Sequence, residues 1–193
     1  MINFIKGKIE AAIQLKTQVL HNESMLNDVD AVVKQITTAY QHGGKVLWCG
    51  NGGSAADAQH LAAELSGRFY YDRPPLFSEA LHVNTSYTTA VANDYSYDVI
   101  YSRLVDAMGA KGDILIGLST SGNSANVVKA IERANAKGMV TVSFTGESGG
   151  KLKAISQYSI NIPSTDTPRI QECHMLLGHT ICEMVEMNLF PKK

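Results

Sequence analysis

The sequence predicts an α/β fold in which helices cover both faces of a parallel sheet. Two observations lead to this prediction: apolar, strand-like runs alternate with segments of helical periodicity, and several of these runs end in loops rich in glycine and hydroxyl residues. At 193 residues, the chain has room for one domain with a helical extension but not for two ordinary domains. We therefore predict a single domain over residues 1–193, with N-terminal helices in 1–42 and an α/β core ending in a long helix in 43–193.

The elements follow one another in a regular order. Apolar residues recur near a 3.6-residue period in 2–20 and 27–41, which predicts two amphipathic helices ahead of the first strand. The apolar run 45–49 predicts a buried strand, and Ser54 is the expected N-cap of the helix that follows. The remaining predicted elements are helix 54–67, strand 78–83, helices 86–92 and 97–108, strand 113–118, helix 123–137, strands 139–144 and 157–162, and helix 168–188.

The composition excludes several classes of function. The formal net charge is −1 and the chain contains no lysine and arginine run, so the basic surface of a nucleic-acid-binding protein is missing. The three cysteines form no metal or disulfide pattern, and we expect Cys49 and Cys182 to be core residues. No apolar stretch approaches the ~20 residues of a membrane span, and the N-terminus lacks a signal-peptide pattern. We therefore expect a cytoplasmic protein with no nucleic-acid or membrane partner.

Segment 49–64 joins a strand to a glycine loop and then to an alanine-rich helix. The amides of Gly50–Gly53 and the helix dipole favour an anion, and His60 and Glu64 lie about 40° apart around the helix, so that they point the same way. The segment alone leaves two interpretations open: an anion site beside acid/base residues, or an ordinary turn followed by a local His–Glu contact. It matches neither the dinucleotide fingerprint nor the nucleotide P-loop, which disfavours a nucleotide cofactor.

A second loop, 119–124, has the sequence Ser-Thr-Ser-Gly-Asn-Ser between a strand and a helix. Its hydroxyls and amides, without a lysine, suit a phosphate monoester better than a triphosphate with magnesium. The alternative is a serine-rich capping turn. Because ligands bind beyond the carboxyl ends of parallel strands, we expect this loop, loop 145–150 and Gly50–Ser54 to border one crevice.

The final predicted helix carries polar residues among its apolar ones. Gln171 and His179 lie about 80° apart in projection but about 12 Å apart along the axis, so their spacing alone does not predict a shared metal ion. The long side chain of Gln171 still allows it to lean toward a common site. His174 lies about 140° from His179 in projection, and we interpret it as an interface or surface residue.

Gly50–Ser54 and the loop 119–124 together resemble the sugar isomerase (SIS) domain, and the finer pattern is similar to the bacterial phosphoheptose isomerases within that family. The resemblance covers nearly the whole chain, including His60, Glu64, Gly67-Arg68, Asp72-Arg73-Pro74, Asn93-Asp94, Thr145-Gly146, Gly149-Gly150, Arg169–Glu172, His174 and His179. It implies a flavodoxin-like three-layer sandwich with a five-stranded parallel sheet and an N-terminal helical arm used in oligomerisation. It also implies a homotetramer with active sites between subunits.

The resemblance further implies an activity and a set of site residues. The reaction converts D-sedoheptulose 7-phosphate to D-glycero-D-manno-heptose 7-phosphate, the entry to heptose synthesis for lipopolysaccharide core and related glycans. Glu64 and His179 are the implied acid/base pair, and Glu64 also belongs to the substrate-binding set. The other implied substrate-binding residues are Asn51, Gly52, Gly53, Ser54, Asn93, Asp94, Ser119, Thr120, Ser121, Ser124 and Gln171. The implied ligands of one zinc ion per subunit are His60, Glu64, Gln171 and His179.

Two alternatives remain open at this point. The first is a non-catalytic SIS protein that binds the replication initiator; Glu64 and His179 favour the enzyme over this alternative, because such a binding protein lacks acid/base residues there. The second is an isomerase or sensor for another phosphosugar, since a few hydrogen-bonding residues on loops decide sugar length. A mixed His, Glu and Gln site also accepts divalent ions other than zinc.

Overall fold

The computed structural model describes residues 1–191, so that positions 192 and 193 of the predicted domain lie outside the described residues. Five parallel strands form one sheet in the order β2-β1-β3-β4-β5, the order of flavodoxin-like folds. The strands are β1 (Val46–Gly50), β2 (Ser78–Ala80), β3 (Ile114–Leu118), β4 (Val140–Thr145) and β5 (Tyr158–Asn161). The helices are α1 (Ile2–Leu20), α2 (Glu23–Gln41), α3 (Gly53–Ser66), α4 (Thr85–Asp94), α5 (Ile100–Met108), α6 (Ala125–Ala136), α7 (Gly150–Ile155) and α8 (Thr167–Leu189), with a 3-10 turn at Tyr97–Val99.

Helices cover both faces of the sheet, which confirms the predicted three-layer α/β architecture. Alternate strand residues such as Trp48 and Ile116 face a core shared with α1, α2, α3 and α8. Their neighbours, such as Leu47 and Leu115, face a second core shared with α4, α5, α6 and α7. All residues of β1 and β3 are buried, as expected of central parallel strands covered on both sides.

The first helix is the least buried of the long helices. Only Leu15 and Val19 of α1 are buried, whereas Phe4, Ile5, Ile9 and Ile13 remain more than half exposed. In contrast, α2 buries a full apolar stripe against the sheet and α8. The N-terminal arm therefore presents an apolar face that the rest of the described chain does not cover.

Several local predictions were wrong. Ser54 is not the N-cap of α3: the cap is Gly52, whose φ of 55° turns the chain earlier, so that Ser54 falls inside the first turn. The segment 150–155, where no helix was predicted, forms the short helix α7, which has too few residues to show a period. Helix α2 begins at Glu23 rather than at residue 27, because the side chain of Asn22 caps it.

The prediction for the cysteines agrees with the structure. Cys49 and Cys182 are fully buried, and burial raises the pKa of each thiol to about 12, so both are unreactive core residues. Within residues 1–191, no helix has the length and apolar character needed to cross a membrane.

Candidate active site

The two glycine- and serine-containing loops meet at one edge of the sheet. Strands β1 and β3 are neighbours with Gly50 paired to Leu118 at their ends, so the loops that follow them emerge side by side. This point is where the strand order reverses, the position at which open α/β sheets bind ligands. The predicted crevice between these two loops is therefore present.

Three serine hydroxyls of the loop 119–124, which we call the serine loop, point toward one another. Ser119 Oγ lies 2.9 Å from Ser124 Oγ and 3.4 Å from Ser121 Oγ. Ser124 is the N-cap residue of α6, yet its side chain makes no capping hydrogen bond because it turns toward Ser119. A simple capping turn would direct this hydroxyl at the helix amides. The geometry therefore favours the ligand-binding interpretation of the loop.

A polar cavity of about 290 Å³ lies over the serine loop. Its lining residues are Asn51, Gly53, Ser54, Leu118, Ser119, Thr120, Ser121, Ser124, Thr167 and Gln171. No lysine or arginine lines it, so hydroxyls and amides supply the polar contacts. Loop 145–150 borders an adjoining cavity through Glu147 and Ser148, and Gly146 N donates to Thr120 O at 2.9 Å. The third predicted loop thus supports the serine loop from the side.

A second group of polar residues joins α3 to α8. His60 Nε2 lies 3.1 Å from His179 Nε2 and 3.1 Å from Glu64 Oε1. The carboxylate of Glu64 is 21% exposed, and the His60 side chain is 53% exposed. The structure therefore brings together three residues that were predicted as site residues, and His179 comes from a helix that begins more than 100 residues after His60.

Close helix packing makes this cluster possible. A Cβ at Gly178 would lie 2.5 Å from Cδ1 of the buried Leu61, so any larger residue there would force this side chain to move where α8 meets α3 beside His179. Nearer the cavity, a Cβ at Gly53 would lie 2.6 Å from Nε2 of the Gln171 side chain and would displace that amide. Gln171 also contacts Ser54 Oγ at 3.4 Å. The same two helices therefore carry residues of both the cavity and the cluster.

The donor set of the cluster fits a divalent metal ion. One ligand atom each of His60, Glu64 and His179 lies within 4.8 Å of the others, close enough for one ion to contact all three. Two imidazoles and a carboxylate form a set that catalytic metal sites use when they keep a position open for substrate. Gln171 lies on the same helix as His179 but lines the cavity described above.

The other predicted site residues have different surroundings. The side-chain amides of Asn51 and Asn126 exchange two hydrogen bonds, at 2.9 and 2.8 Å, which hold Asn51 at the end of β1. Gly52 is exposed at the turn. Asn93 and Asp94 are exposed at the end of α4, where Asn93 Nδ2 donates to Asp94 Oδ1 at 2.9 Å, and neither lines the serine-loop cavity.

Sequence reasoning missed two neighbours of the cluster. The ring of Phe69 stacks on His179 with centroids 5.7 Å apart and an interplanar angle of 24°. Asp57 lies one turn before His60, and its Oδ2 is buried with no hydrogen-bond partner among residues 1–191. Burial raises the pKa of the Asp57 carboxyl, while His60 acts in the opposite direction. Only the helical spacing of Asp57 and His60 gave a signal in the sequence.

The prediction that His174 is an interface or surface residue was wrong. Its side chain is fully buried, with Nε2 3.1 Å from Thr145 O and the ring edge-on to Phe144. Burial lowers the pKa of this imidazole to about 4, although the contact with Thr145 O acts in the opposite direction. His174 is therefore a neutral core residue below the end of β4.

Comparison with known proteins agrees with this geometry. The SIS domain model matches residues 9–146. This chain belongs to the SIS domain family. An SIS relative from Aneurinibacillus thermoaerophilus, named phosphoheptose isomerase, is 47% identical over 193 residues, covering 100% of this chain and 98% of the relative. A second relative, phosphoheptose isomerase 2 of Campylobacter jejuni, is 47% identical over 98% of this chain and 94% of its own length.

The fold is also similar to solved SIS structures. A phosphoheptose isomerase from Francisella tularensis superposes with a TM-score of 0.92 at 33% identity, covering 96% of this chain and 98% of that one. The phosphoheptose isomerase of Neisseria gonorrhoeae gives a TM-score of 0.89 at 37% identity, with coverage of 95% and 97%. The flavodoxin-like expectation for this chain is thereby confirmed.

Proposed function

We propose that this protein is an aldose–ketose isomerase that converts D-sedoheptulose 7-phosphate to D-glycero-D-manno-heptose 7-phosphate, the first step of heptose synthesis for lipopolysaccharide core and related glycans. The observation that carries the proposal is that α3 and α8 each contribute to both the serine-loop cavity and the His–Glu–His cluster. Ser54 and His60 are six residues apart, or about 9 Å along α3. A sugar chain with its phosphate in the cavity can therefore present its other end to the cluster.

The reaction needs no oxidant: one proton moves from C1 to C2, and a second moves from O1 to O2. A base removes the proton from C1 of the ketose, and the electron pair forms a C1–C2 double bond while the C2 carbonyl oxygen becomes an enediolate oxygen. The O1 hydroxyl proton passes to O2, and an acid returns a proton to C2 as the C1–O1 bond becomes the aldehyde carbonyl. Glu64 and His179 are the groups placed to exchange these protons, and such catalysis contributes about 10²- to 10⁴-fold to a rate.

The serine-loop cavity is the proposed phosphate site. Ser119, Thr120, Ser121 and Ser124 offer hydroxyls there, and the N-terminus of α6 adds its amides and its dipole. Ser54 lies nearby, and Gln171 reaches the same cavity. The residues proposed to line the sugar are Asn51, Gly52, Gly53, Asn93 and Asp94. The side-chain amide of Asn51, which would contact the sugar, is held in its orientation by a hydrogen bond from Asn126.

We further propose that His60, Glu64, Gln171 and His179 hold one zinc ion per subunit. The cluster of two imidazoles and a carboxylate supports this proposal, since its donor types suit zinc. When bound, the ion supplies Lewis-acid stabilisation to the oxygens of the reacting carbon atoms. The protein would be isolated with near-stoichiometric metal, and elemental analysis of purified protein identifies the ion.

The proposed assembly is a homotetramer with active sites between subunits. The exposed apolar side chains of α1, among them Phe4, Ile5 and Ile9, support the use of residues 1–42 in oligomerisation. We treat residues 1–193 as one SIS domain and place the protein in the cytoplasm, consistent with its buried, unpaired cysteines. Sedimentation analysis tests the assembly, and an Ile9→Asp variant is expected to dissociate it.

The direct test of function is turnover. Purified protein is incubated with sedoheptulose 7-phosphate, with and without added zinc, and the aldose product is followed by NMR. Ribulose 5-phosphate and fructose 6-phosphate serve as shorter ketoses, so that a preference for either would identify an isomerase for another phosphosugar. No turnover of sedoheptulose 7-phosphate under either condition would overturn the proposal.

A further inference from the structure

Beside the cluster, Arg73 and Glu186 form a buried ion pair. Arg73 Nε lies 3.0 Å from Glu186 Oε1, and the two side chains are only 2% and 1% exposed. Burial alone would raise the pKa of Glu186, but the amides of Phe69 and Tyr70 and the Arg73 guanidinium lower it below its usual value. Both partners are therefore charged at neutral pH.

Arg73 closes the end of the helix that carries Glu64. Its Nη2 donates to Glu64 O at 2.9 Å, and its Nη1 donates to Leu65 O at 2.7 Å and to Gly67 O at 3.1 Å. The C-cap residue Gly67 has a φ of −89°, so α3 does not end in the left-handed turn that usually satisfies the last carbonyls. The guanidinium supplies those hydrogen bonds instead.

Glu186 holds the segment 69–71, which follows α3. Its carboxylate accepts hydrogen bonds from three successive amides: Phe69 N at 3.1 Å, Tyr70 N at 2.7 Å and Tyr71 N at 3.0 Å. The first of these residues stacks its ring on His179. Because Glu186 follows His179 by seven residues, or two helical turns, one helix carries both the imidazole and the group that orders the ring packed on it.

We propose that Arg73 and Glu186 are positioning residues that fix Glu64 and His179 relative to each other. Arg73 sets the end of α3 at the Glu64 main chain, and Glu186 sets the Phe69 ring that limits rotation of the His179 imidazole. Neither side chain needs to touch a substrate. The inference rests on the proposed function for its kinetic consequence, but its structural consequence is measurable without turnover.

The structural test uses the Cε1 proton of His179 in protein labelled with ¹³C at histidine Cε1. The chain contains six histidines, and a His179→Gln variant assigns the resonance. Spectra are recorded on metal-free protein. A Phe69→Leu variant, which leaves the ion pair in place, calibrates complete loss of the ring-current shift. In Glu186→Gln and Arg73→Lys, we expect the resonance to move most of the way toward the Phe69→Leu position.

A second buried pair provides the matched control. The Asp113 side chain is 3% exposed, lies 2.6 Å from Lys45 Nζ, and accepts hydrogen bonds from Lys45 N and Ala110 N. It lies just before β3, at the end of the strand opposite the serine loop. Asp113→Asn therefore removes a comparable charge network away from the cluster. Measurements are made well below each variant's Tm, so that folded protein is compared with folded protein.

In turnover, Glu186→Gln and Arg73→Lys should lower kcat about 10- to 100-fold with little change in KM, because misplacement of proton-transfer groups affects the chemical step. Asp113→Asn should change kcat less than about 2-fold and leave the His179 resonance in place. An unmoved resonance in both Glu186→Gln and Arg73→Lys would overturn the proposal, as would an equal movement in Asp113→Asn. If wild-type protein has no isomerase activity, the proposed function fails while the resonance data still decide the positioning claim.

Discussion

The two halves of the candidate site are built in different ways. All hydroxyls of the serine loop come from six consecutive residues, 119–124, which are ordered by hydrogen bonds within the loop. The His60–Glu64–His179 cluster is assembled from two helices and depends on their close approach at Gly178. The first half is a local structure, whereas the second depends on tertiary packing. In the proposed function, the local half binds the phosphate and the assembled half carries out the proton transfers.

The largest expected effect comes from Glu64→Gln. The substitution keeps the size of the side chain but removes its capacity to exchange a proton, so kcat should fall about 10³-fold. KM for the sugar phosphate should change much less than kcat, because the serine loop, which supplies the proposed phosphate contacts, is untouched. Steady-state kinetics with sedoheptulose 7-phosphate measures both values. Glu132→Gln, an exposed position on α6, is the control and should behave as wild type. A Glu64→Gln enzyme with normal kcat would remove Glu64 from the proposed chemistry.

The next effect concerns metal retention in the assembled half. His60→Gln removes one imidazole from the His–Glu–His set, and we expect metal affinity to fall by at least about 100-fold, because loss even of outer-shell partners costs 10- to 100-fold. Competition with a chelator of known affinity gives the value, and kcat should recover in part when the ion is added in excess. The exposed His21 offers the control His21→Gln. Equal metal affinity in the two variants would contradict the proposed ligand set.

A smaller effect is expected in the local half. Ser119→Ala removes the hydroxyl that contacts both Ser121 and Ser124, and loss of a hydrogen bond to a charged phosphate costs about 1.5 to 3 kcal/mol. KM should therefore rise roughly 10-fold or more while metal content stays unchanged. Ser86→Ala, at an exposed position of α4, serves as the control. A loss of metal in Ser119→Ala, with KM unaltered, would show that the two halves are not separable in this way.

The difference between local structure and tertiary packing explains which features could be predicted from the sequence. The parallel sheet and most helices were predictable because their periods are local, and the serine loop was visible as consecutive residues. His60 and Glu64 were visible as an i,i+4 pair, but His179 joined them only through the family resemblance, since no helical spacing relates α8 to α3. The contacts of Phe69, Arg73 and Glu186 were not predicted. The contacts of Phe69 with Glu186, of Arg73 with Glu186 and of Phe69 with His179 each join residues more than 100 positions apart, and such contacts leave no pattern in one sequence.

His174 lies on the same helix, α8, as His179, but its side chain is buried in the core. With a pKa of about 4 in the folded protein and about 6.5 when unfolded, the unfolded state binds more protons between these values. The resulting contribution to the free energy of unfolding is fully present above about pH 6.5. It falls by about 3 kcal/mol as the pH is lowered to 4.

A His174→Leu variant lacks this titrating group. The free energy of unfolding of wild type should therefore fall relative to that of the variant by about 3 kcal/mol as the pH is lowered from 7 to 4. Urea unfolding at fixed protein concentration and ionic strength gives the free energy of unfolding at each pH, and His21→Gln, exposed on the surface, should follow wild type throughout. At pH 7 the folded variant should keep kcat within about 2-fold of wild type, since His174 faces Thr145 and Phe144 rather than the cluster. A stability difference independent of pH would show that His174 does not titrate in this range, and a large loss of kcat would place it with the assembled half.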